Sequence, residues 1–196
     1  MILPIYVFGH DALRRDTEPV TENTEAVQTL IDNMIDTMRA ANGLGLAAPQ
    51  VGRTERIFVV DLLPIADDLR AEGIEVPDQP MVFINPEITW ESSATSKFEE
   101  GCLSIPDVRE SVRRPDRVQV EYLDRNFEEQ SYEMSDMLAR VVQHEYDHLE
   151  GVLFTDHLSA FRRRLLRRTL RRIADGDIEA SYPLRTADGE TVPATA

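Results

Sequence analysis

The stretch Gln143-His144-Glu145-Tyr146-Asp147-His148-Leu149-Glu150-Gly151 contains the pattern His-Glu-x-x-His and two of the chain's four histidines. Apolar residues ahead of it recur at helical spacing, which predicts a helix that starts at Ser135-Asp136 and stops at Gly151. The apolar face of this predicted helix comprises Met137, Leu138, Val141 and Val142.

On such a helix His144 and His148 lie one turn apart on one face, and Glu145 projects about 100° further round. Two imidazoles in this arrangement can bind one zinc-like metal, while the glutamate serves as general base for a water molecule. The alternative is a solvated helix face that carries two surface histidines.

The overall composition fits one soluble globular domain. The chain has 196 residues and is 42% hydrophobic, enough for a sizeable core, and we expect a catalytic domain over 1–175 with a flexible tail at 176–196. Met1 to Gly9 lacks a positive lead-in and a cleavage site, so it predicts an edge strand rather than a signal peptide. No apolar run could span a bilayer, and the sole cysteine, Cys102, excludes an intramolecular disulfide. These features favour a reducing cytoplasm.

The net charge is −15, from 36 acidic and 21 basic residues, and Lys97 is the only lysine. This balance argues against a general nucleic-acid-binding surface. One explanation is a high-salt cytoplasm, where dense surface carboxylates keep a protein hydrated. The other is a compositional bias towards arginine. Melting temperature measured against KCl concentration would separate the two.

Arginines are concentrated in one segment, 161–172, which holds seven of them and no acid. Ser159 can cap a helix here that runs through Ile173. The side expected to pack against the body comprises Phe161, Leu165, Leu166, Thr169, Leu170 and Ile173. So much positive charge on an acidic chain suggests docking on an anionic surface such as the RNA of the ribosome. The alternative is a solvated helix face that lies over the protein's own acidic body.

The remaining elements predict an α+β fold. Apolar residues from Val27 to Met38 follow helical spacing, and Pro64 to Pro80 reads as a polar surface insertion. Strand-like segments run in series with short connections: Arg56 to Leu62, Met81 to Ile84, Asn85 to Trp90, Val108 to Arg113, Arg117 to Leu123 and Gln130 to Met134. We therefore expect antiparallel sheets packed around the central metal-binding helix, with an N-terminal helix and a C-terminal helix.

A run of small residues lies ahead of the strand predicted at Arg56 to Leu62; it extends from Gly43 to Gly52 as Gly-Leu-Gly-Leu-Ala-Ala-Pro-Gln-Val-Gly. Glycines let another backbone approach closely, so this edge can pair with an extended peptide. A phosphate loop is excluded because no Lys-Ser/Thr follows the glycines. The Gln50 amide can donate a hydrogen bond into a site. The alternative is a turn or packing device without a functional role.

A catalytic metal site needs a third protein ligand besides the two histidines. In the pattern H-E-x-x-H-x-x-G-x-x-H the glycine falls on Gly151, but the third histidine position is Phe154, and His157 lies three residues too late. Glu179 is a downstream candidate, beyond a helix already committed to packing. Cys102 is the better candidate, although a free cysteine is more often a small hydrophobic core residue.

Three segments together resemble the peptide deformylases. They are Gly43-Leu44-Gly45-Leu46-Ala47-Ala48-Pro49-Gln50, Glu100-Gly101-Cys102-Leu103-Ser104 and the stretch from Gln143 to Gly151. The resemblance covers roughly residues 1–175, apart from the insertion at 64–80. It implies that Cys102, His144 and His148 are metal ligands, Glu145 the catalytic acid and base, and the Gln50 side chain and Leu103 backbone the oxyanion donors.

The resemblance also implies the reaction, which is hydrolytic removal of formyl from an N-formylmethionyl peptide with release of formate. It implies Fe²⁺ as the native metal, with Ni²⁺, Co²⁺ or Zn²⁺ as substitutes, whereas the ligand set alone would point to zinc. The peptide is expected to lie along the glycine-rich segment, with its methionine in an apolar pocket beside the helix. The expected substrate-binding residues are Gly45, Gly101, Phe98, Arg109, Met137 and Val141.

Two other classes of function remain open at this point. One is an endopeptidase in which Glu179 replaces Cys102 as third ligand, so that Cys102→Ala would leave metal binding intact. The other is a ribosome-associated module without catalytic activity, which would bind ribosomes in a salt-sensitive way and release no formate.

Overall fold

The computed structural model describes residues 1–195, and within them four α-helices are present. They are α1 (Glu25–Ala40), α2 (Ala66–Ala71), α3 (Asp136–Leu149) and α4 (Ala160–Ala174). Thr24 caps α1 by accepting a hydrogen bond from the Val27 N–H, and Gly151, with a φ of 66°, follows the end of α3. The three helices predicted near the N-terminus, over the His-Glu-x-x-His stretch and near the C-terminus are thereby confirmed.

Ten short strands form three sheets within the same residues. In chain order they are β1 (Ile5–Tyr6), β2 (Gly45–Ala47), β3 (Ile57–Val60), β4 (Met81–Glu91), β5 (Thr95–Cys102), β6 (Ile105–Pro115), β7 (Arg117–Leu123), β8 (Glu129–Ser135), β9 (Leu184–Arg185) and β10 (Thr191–Val192). The largest sheet is antiparallel with the order β2-β3-β4-β7-β8, β5 and β6 form a hairpin, and β1 pairs with β9 in a third sheet of order β1-β9-β10. The fold is α+β, as expected.

The five-stranded sheet is buried on both faces at β3. Along β3 the side chains of Ile57 and Val59 join the hydrophobic cluster that contains α1, while Phe58 and Val60 join the cluster that contains α3. This alternation follows from the two-residue period of a strand. Helix α3 therefore packs against one face of the sheet, and its histidines reach the hairpin beyond it.

One predicted strand break is absent. The extended segments on either side of Asn85 form a single strand, β4, with a register shift between Ile84 and Glu87. Asn85 adopts a φ of 50°, and its side chain bonds to both the N–H and the carbonyl of Val20. The side chain thus stabilises a bulge within one strand where two separate strands were expected.

Helix α4 packs less than its sequence suggested. Only Leu170 and Ile173 are buried, whereas Phe161 is 68% exposed and Leu165 is 56% exposed. The prediction that both residues face the body was wrong, because the N-terminal half of the helix is held at the surface by polar contacts. Arg162 there bonds the Glu110 carboxylate through two nitrogens.

The segment after α4 is docked on the body. Tyr182 and Leu184 are buried, and β9 pairs with β1 through Ile5↔Leu184. This finding differs from the flexible tail expected for 176–196, since a few apolar side chains in a polar segment are enough to complete the N-terminal sheet. No helix within residues 1–195 combines the length and apolar character needed to cross a membrane.

Candidate metal centre and active site

Three side chains from two elements converge at the end of β5. Cys102 is the last residue of that strand, and its Sγ lies 3.3 Å from Nε2 of His148 on α3. One donor atom each from Cys102, His144 and His148 lies within 4.8 Å of the other two. One thiolate and two imidazoles form a donor set that suits zinc and other divalent transition metals. The residues present therefore fit a metal ion.

Glu100 orients one of the imidazoles. Its Oε2 lies 3.0 Å from Nδ1 of His144, and Arg114 binds the same carboxylate through Nε at 2.7 Å and Nη2 at 3.0 Å. Burial alone would raise the pKa of Glu100, but hydrogen bonds from His144 and Arg114 outweigh it and hold the pKa well below its usual range. An ionised Glu100 accepts the Nδ1 proton, which leaves Nε2 of His144 free for a cation.

Two buried arginines complete the polar surroundings of Glu100. Arg140, on α3, donates to Glu100 Oε1 at 3.1 Å and to the Val112 carbonyl at 3.2 Å. Arg114 donates to Asp147 Oδ2 at 2.7 Å. Buried charges of this kind are stable only when they are paired and hydrogen-bonded on every side. The network therefore holds α3 and the β5-β6 hairpin in a fixed relation.

Glu145 lies beside the three donors and is 4% exposed. Its Oε2 makes no hydrogen bond within the described part of the chain. Burial raises the pKa of Glu145 to about 7. A carboxylate with this pKa can both accept and return a proton near neutral pH.

Gly45 makes room for that carboxylate. A Cβ at position 45 would lie 2.7 Å from both Cγ and Cδ of Glu145, closer than real Cβ contacts allow. The second glycine of the Gly-Leu-Gly motif is thus required by close approach of the β2 backbone to α3.

The Gln50 amide is oriented by its neighbours. The Ala47 N–H donates to Gln50 Oε1 at 2.8 Å, so Nε2 faces the site, where it donates to Ser104 Oγ at 3.2 Å and lies 3.5 Å from Cys102 Sγ. Gln50 is 1% exposed. The predicted amide donor therefore lies next to the Cys102 thiol.

A cleft of about 780 Å³ opens in front of these residues, within the usual range for small-ligand sites. All six predicted substrate-binding residues line it, as does Leu103; they are Gly45, Gly101, Phe98, Arg109, Met137 and Val141. Glu179 lines the cleft wall as an exposed residue and is not one of the clustered donors.

Several residues of the site were missed by sequence reasoning. Glu100 was noted only as part of a motif, although an acid beside the ligand cysteine is a reasonable partner for a histidine. Arg140 could have been identified because it is the one charged residue among the apolar residues from Met137 to Val142. Arg114 had no local signal, because its role depends on contacts with residues far along the chain.

Comparison with known proteins agrees with this geometry. Residues 2–164 match the family model described as polypeptide deformylase. The chain is 66% identical over 193 residues to a peptide deformylase of Salinibacter ruber, covering 98% of this chain and 99% of that one. Two solved peptide deformylases are similar in fold. The Ehrlichia chaffeensis protein has a TM-score of 0.81 at 37% identity, with 90% of this chain and 99% of that chain covered. The Thermotoga maritima protein has a TM-score of 0.72 at 39% identity, with coverages of 81% and 99%.

Proposed function

We infer the role of each site residue from the premise that this chain belongs to the peptide deformylase family. It is a metal-dependent hydrolase that removes the formyl group from the N-terminal N-formylmethionine of newly synthesised polypeptides. The reaction consumes one water, breaks the formyl C–N bond, and releases formate and a free N-terminal amine. Cys102, His144 and His148 would hold the metal, which when bound supplies Lewis-acid activation of water and of the formyl oxygen.

Glu145 is the proposed acid and base. Its unpartnered Oε2, beside the three donors, accepts the proton of the attacking water. The same carboxyl group then returns a proton to the departing amine nitrogen.

Gln50 and Leu103 are the proposed donors to the formyl oxygen. Negative charge develops on that oxygen as water attacks, and fixed N–H donors gain strength as the charge grows. The Gln50 amide is already oriented by Ala47 N–H before substrate arrives, so it needs no reorganisation during the reaction. The Leu103 N–H belongs to the peptide unit directly after the ligand Cys102.

The proposed binding mode follows the shape of the cleft. The methionine side chain enters the pocket lined by Phe98, Met137 and Val141, where a thioether packs well against flexible and aromatic groups. The peptide backbone pairs with the edge strands near Gly45 and Gly101, and the exposed Arg109 meets it at the rim.

We propose Fe²⁺ as the native metal, with Zn²⁺, Ni²⁺ or Co²⁺ able to occupy the same donors. A mixed thiolate and imidazole set accepts all four ions, so availability and oxidation decide which is found. Protein purified without oxygen should contain iron and lose activity in air, with protection by catalase. Stoichiometric zinc with undiminished turnover would overturn the choice of iron.

The observation that carries the proposed function is the meeting of Cys102, His144 and His148 beside an unpartnered buried Glu145. The test is formate release from formyl-Met-Ala-Ser, with and without a chelator. We expect one formate per peptide and loss of activity on chelation. The acetylated peptide serves as control for the small acyl group. Cleavage of internal peptide bonds without formate release would favour the endopeptidase alternative.

The proposed partner beyond the substrate is the ribosome, in the cytoplasm where nascent chains carry the formyl group. The support is α4, where Arg164, Arg167 and Arg168 are exposed and form no ion pair among the described residues. Phe161 and Leu165 lie exposed on the same helix. An arginine surface with apolar side chains suits an RNA-rich partner, and its binding should weaken steeply as salt is added.

A further inference from the structure

The segment Ile178 to Arg185 packs against the turn that carries the ligand cysteine. It lies beyond residue 164, where the match to the family model ends. Ile178 and Ala180 pack against the buried core cluster, and Glu179 to Tyr182 line the same cleft as Cys102 and Leu103. The active-site wall on this side is therefore supplied by a segment outside the residues that match the family model.

One hydrogen bond links this segment to the site directly. The Tyr182 hydroxyl donates to the Leu103 carbonyl at 2.9 Å, across 79 residues of sequence. Tyr182 is 7% exposed. Burial, with the nearby Cys102 and Asp107, raises the pKa of the Tyr182 phenol further above its ordinary value. The phenol therefore keeps its proton and remains a donor throughout the neutral range.

The position of Tyr182 is itself fixed by the N-terminal sheet. The Ile5 N–H donates to the Pro183 carbonyl and the Val7 N–H to the Arg185 carbonyl, both at 2.9 Å. The next residue of that N-terminal segment, Phe8, donates its N–H to the Ser104 carbonyl at 2.8 Å. The neighbouring carbonyls of Leu103 and Ser104 thus accept hydrogen bonds from Tyr182 and Phe8, and both of these residues lie in segments that pair in the N-terminal sheet.

The other side of the turn is held as tightly. The Leu103 side chain lies against Gly43, where an added Cβ would come within 2.7 Å of Leu103 Cδ1. Ser104 Oγ accepts from Gln50 Nε2 at 3.2 Å. With the sulfur of Cys102 directed at the metal donors, the peptide unit between Cys102 and Leu103 has fixed neighbours on both sides.

We propose that Tyr182 is a positioning residue for deformylation, which holds the Leu103 peptide so that its N–H is aimed at the reacting formyl oxygen. This inference rests on the proposed function, because the Leu103 N–H matters only if charge develops on that oxygen. Tyr182 itself touches no reacting atom. The Leu103 carbonyl and the Leu103 N–H lie in neighbouring peptide units that meet at the Leu103 Cα. The Tyr182 hydroxyl holds the carbonyl side of that Cα, and the contact of the Leu103 side chain with Gly43 restrains the Cα itself, so the N–H has little freedom to rotate.

The test compares Tyr182→Phe with Tyr132→Phe, a tyrosine on β8 that is 47% exposed. Loss of one positioning bond should lower kcat by about 5- to 10-fold in Tyr182→Phe, leaving KM for formyl-Met-Ala-Ser within twofold of the wild-type value. Metal content should be unchanged, and Tyr132→Phe should match the wild type. An unchanged kcat, or a change confined to KM, would show that Tyr182 is only part of the cleft wall.

A second measurement does not depend on turnover. In metal-free protein, the alkylation rate of Cys102, the only thiol, reports how freely the turn moves. This rate should be higher in Tyr182→Phe than in the wild type and in Tyr132→Phe. An alkylation rate that Tyr182→Phe leaves unchanged would overturn the proposal. A wild type that released no formate would instead refute the proposed function, whatever the alkylation rates.

Discussion

Helices α3 and α4 have nearly the same length and both carry regularly spaced apolar residues, yet they use their charges in opposite ways. Ten residues of α3 are buried, among them Arg140, His144 and Glu145. Only two residues of α4 are buried, and its arginines face water. In α3 each charge has a defined partner or a place in the site. In α4, Arg162, Arg171 and Arg172 pair with acids at the surface, whereas Arg164, Arg167 and Arg168 form no ion pair among the described residues. A helical period alone does not distinguish the two cases.

The difference predicts where substitutions have large effects. Charges inside a protein cost much free energy unless they are paired, so α3 should be sensitive to single changes. Exposed charges interact weakly with one another and are screened by salt, so α4 should tolerate change except towards an anionic partner. The predictions below test this contrast, from the largest expected effect to the smallest.

Removal of Cys102, the metal donor that β5 contributes beside the two histidines of α3, should have the largest effect. Cys102→Ala should lose bound metal and reduce formate release below detection, because two imidazoles remain where three ligands are needed. Metal analysis and the formate assay measure both losses. His157→Gln, a histidine outside the donor cluster, is the control and should keep its metal. A Cys102→Ala protein with stoichiometric metal would point back to Glu179 as ligand.

Gln50→Ala should have the next largest effect. The change removes one donor to the formyl oxygen and should lower kcat by about 10² or more, with little change in metal content. Steady-state kinetics on formyl-Met-Ala-Ser provides the measurement. The control is Gln119→Ala on β7, where the glutamine bonds only Ser131 at the surface. Full activity in Gln50→Ala would remove this amide from the mechanism.

Arg140→Met should distinguish the two helices by stability. The change deprives Glu100, Ser96 and the Val112 carbonyl of a buried donor, and we expect a loss of about 2–3 kcal/mol in the free energy of unfolding. Arg171→Met on α4 is the matched control. Arg171 is 81% exposed, so its loss should stay within about 0.5 kcal/mol. Equal losses of unfolding free energy for the two variants in urea titrations would contradict the expected difference between a buried and an exposed arginine.

Substitution of Arg164, Arg167 and Arg168 together by glutamine should have the smallest effect on chemistry. We expect kcat/KM on the free peptide to stay within about twofold, since these side chains are remote from the cleft. Co-sedimentation with ribosomes should weaken, and its dependence on salt should become shallower. Unchanged co-sedimentation would leave α4 as a solvated face of an acidic protein.

The sequence was sufficient for the parts of the site that lie within local patterns. Spacing placed His144, Glu145 and His148 on one helix, and small residues around Gly45 and Cys102 marked the other two segments. The residues that hold these in place were not predictable in this way. Arg114, on β6, bonds Glu100 on β5 and Asp147 on α3, and Tyr182 bonds Leu103 across 79 residues of sequence. Such contacts depend on how the elements pack, which periodicity does not encode.

The same limit explains the two surprises of the fold. Asn85 stabilises a bulge because Val20 offers it both a donor and an acceptor, and Val20 is distant in sequence. Phe161 and Leu165 are exposed because nothing in the described chain covers the first half of α4. The origin of the acidic surplus stays a prediction, and melting temperature against KCl concentration remains its test.

The pairing of β1 with β9 also has a consequence for the order in which the protein can mature. Ile5 precedes α3 in the chain, yet its partner Leu184 follows only after the whole of that helix. Contacts of such long sequence separation form late in folding. Until β1 and β9 pair, Tyr182 and Phe8 are not yet in position to bond the Leu103 and Ser104 carbonyls. An enzyme that acts on growing chains would thus acquire its own full competence only after its synthesis has passed the catalytic motifs.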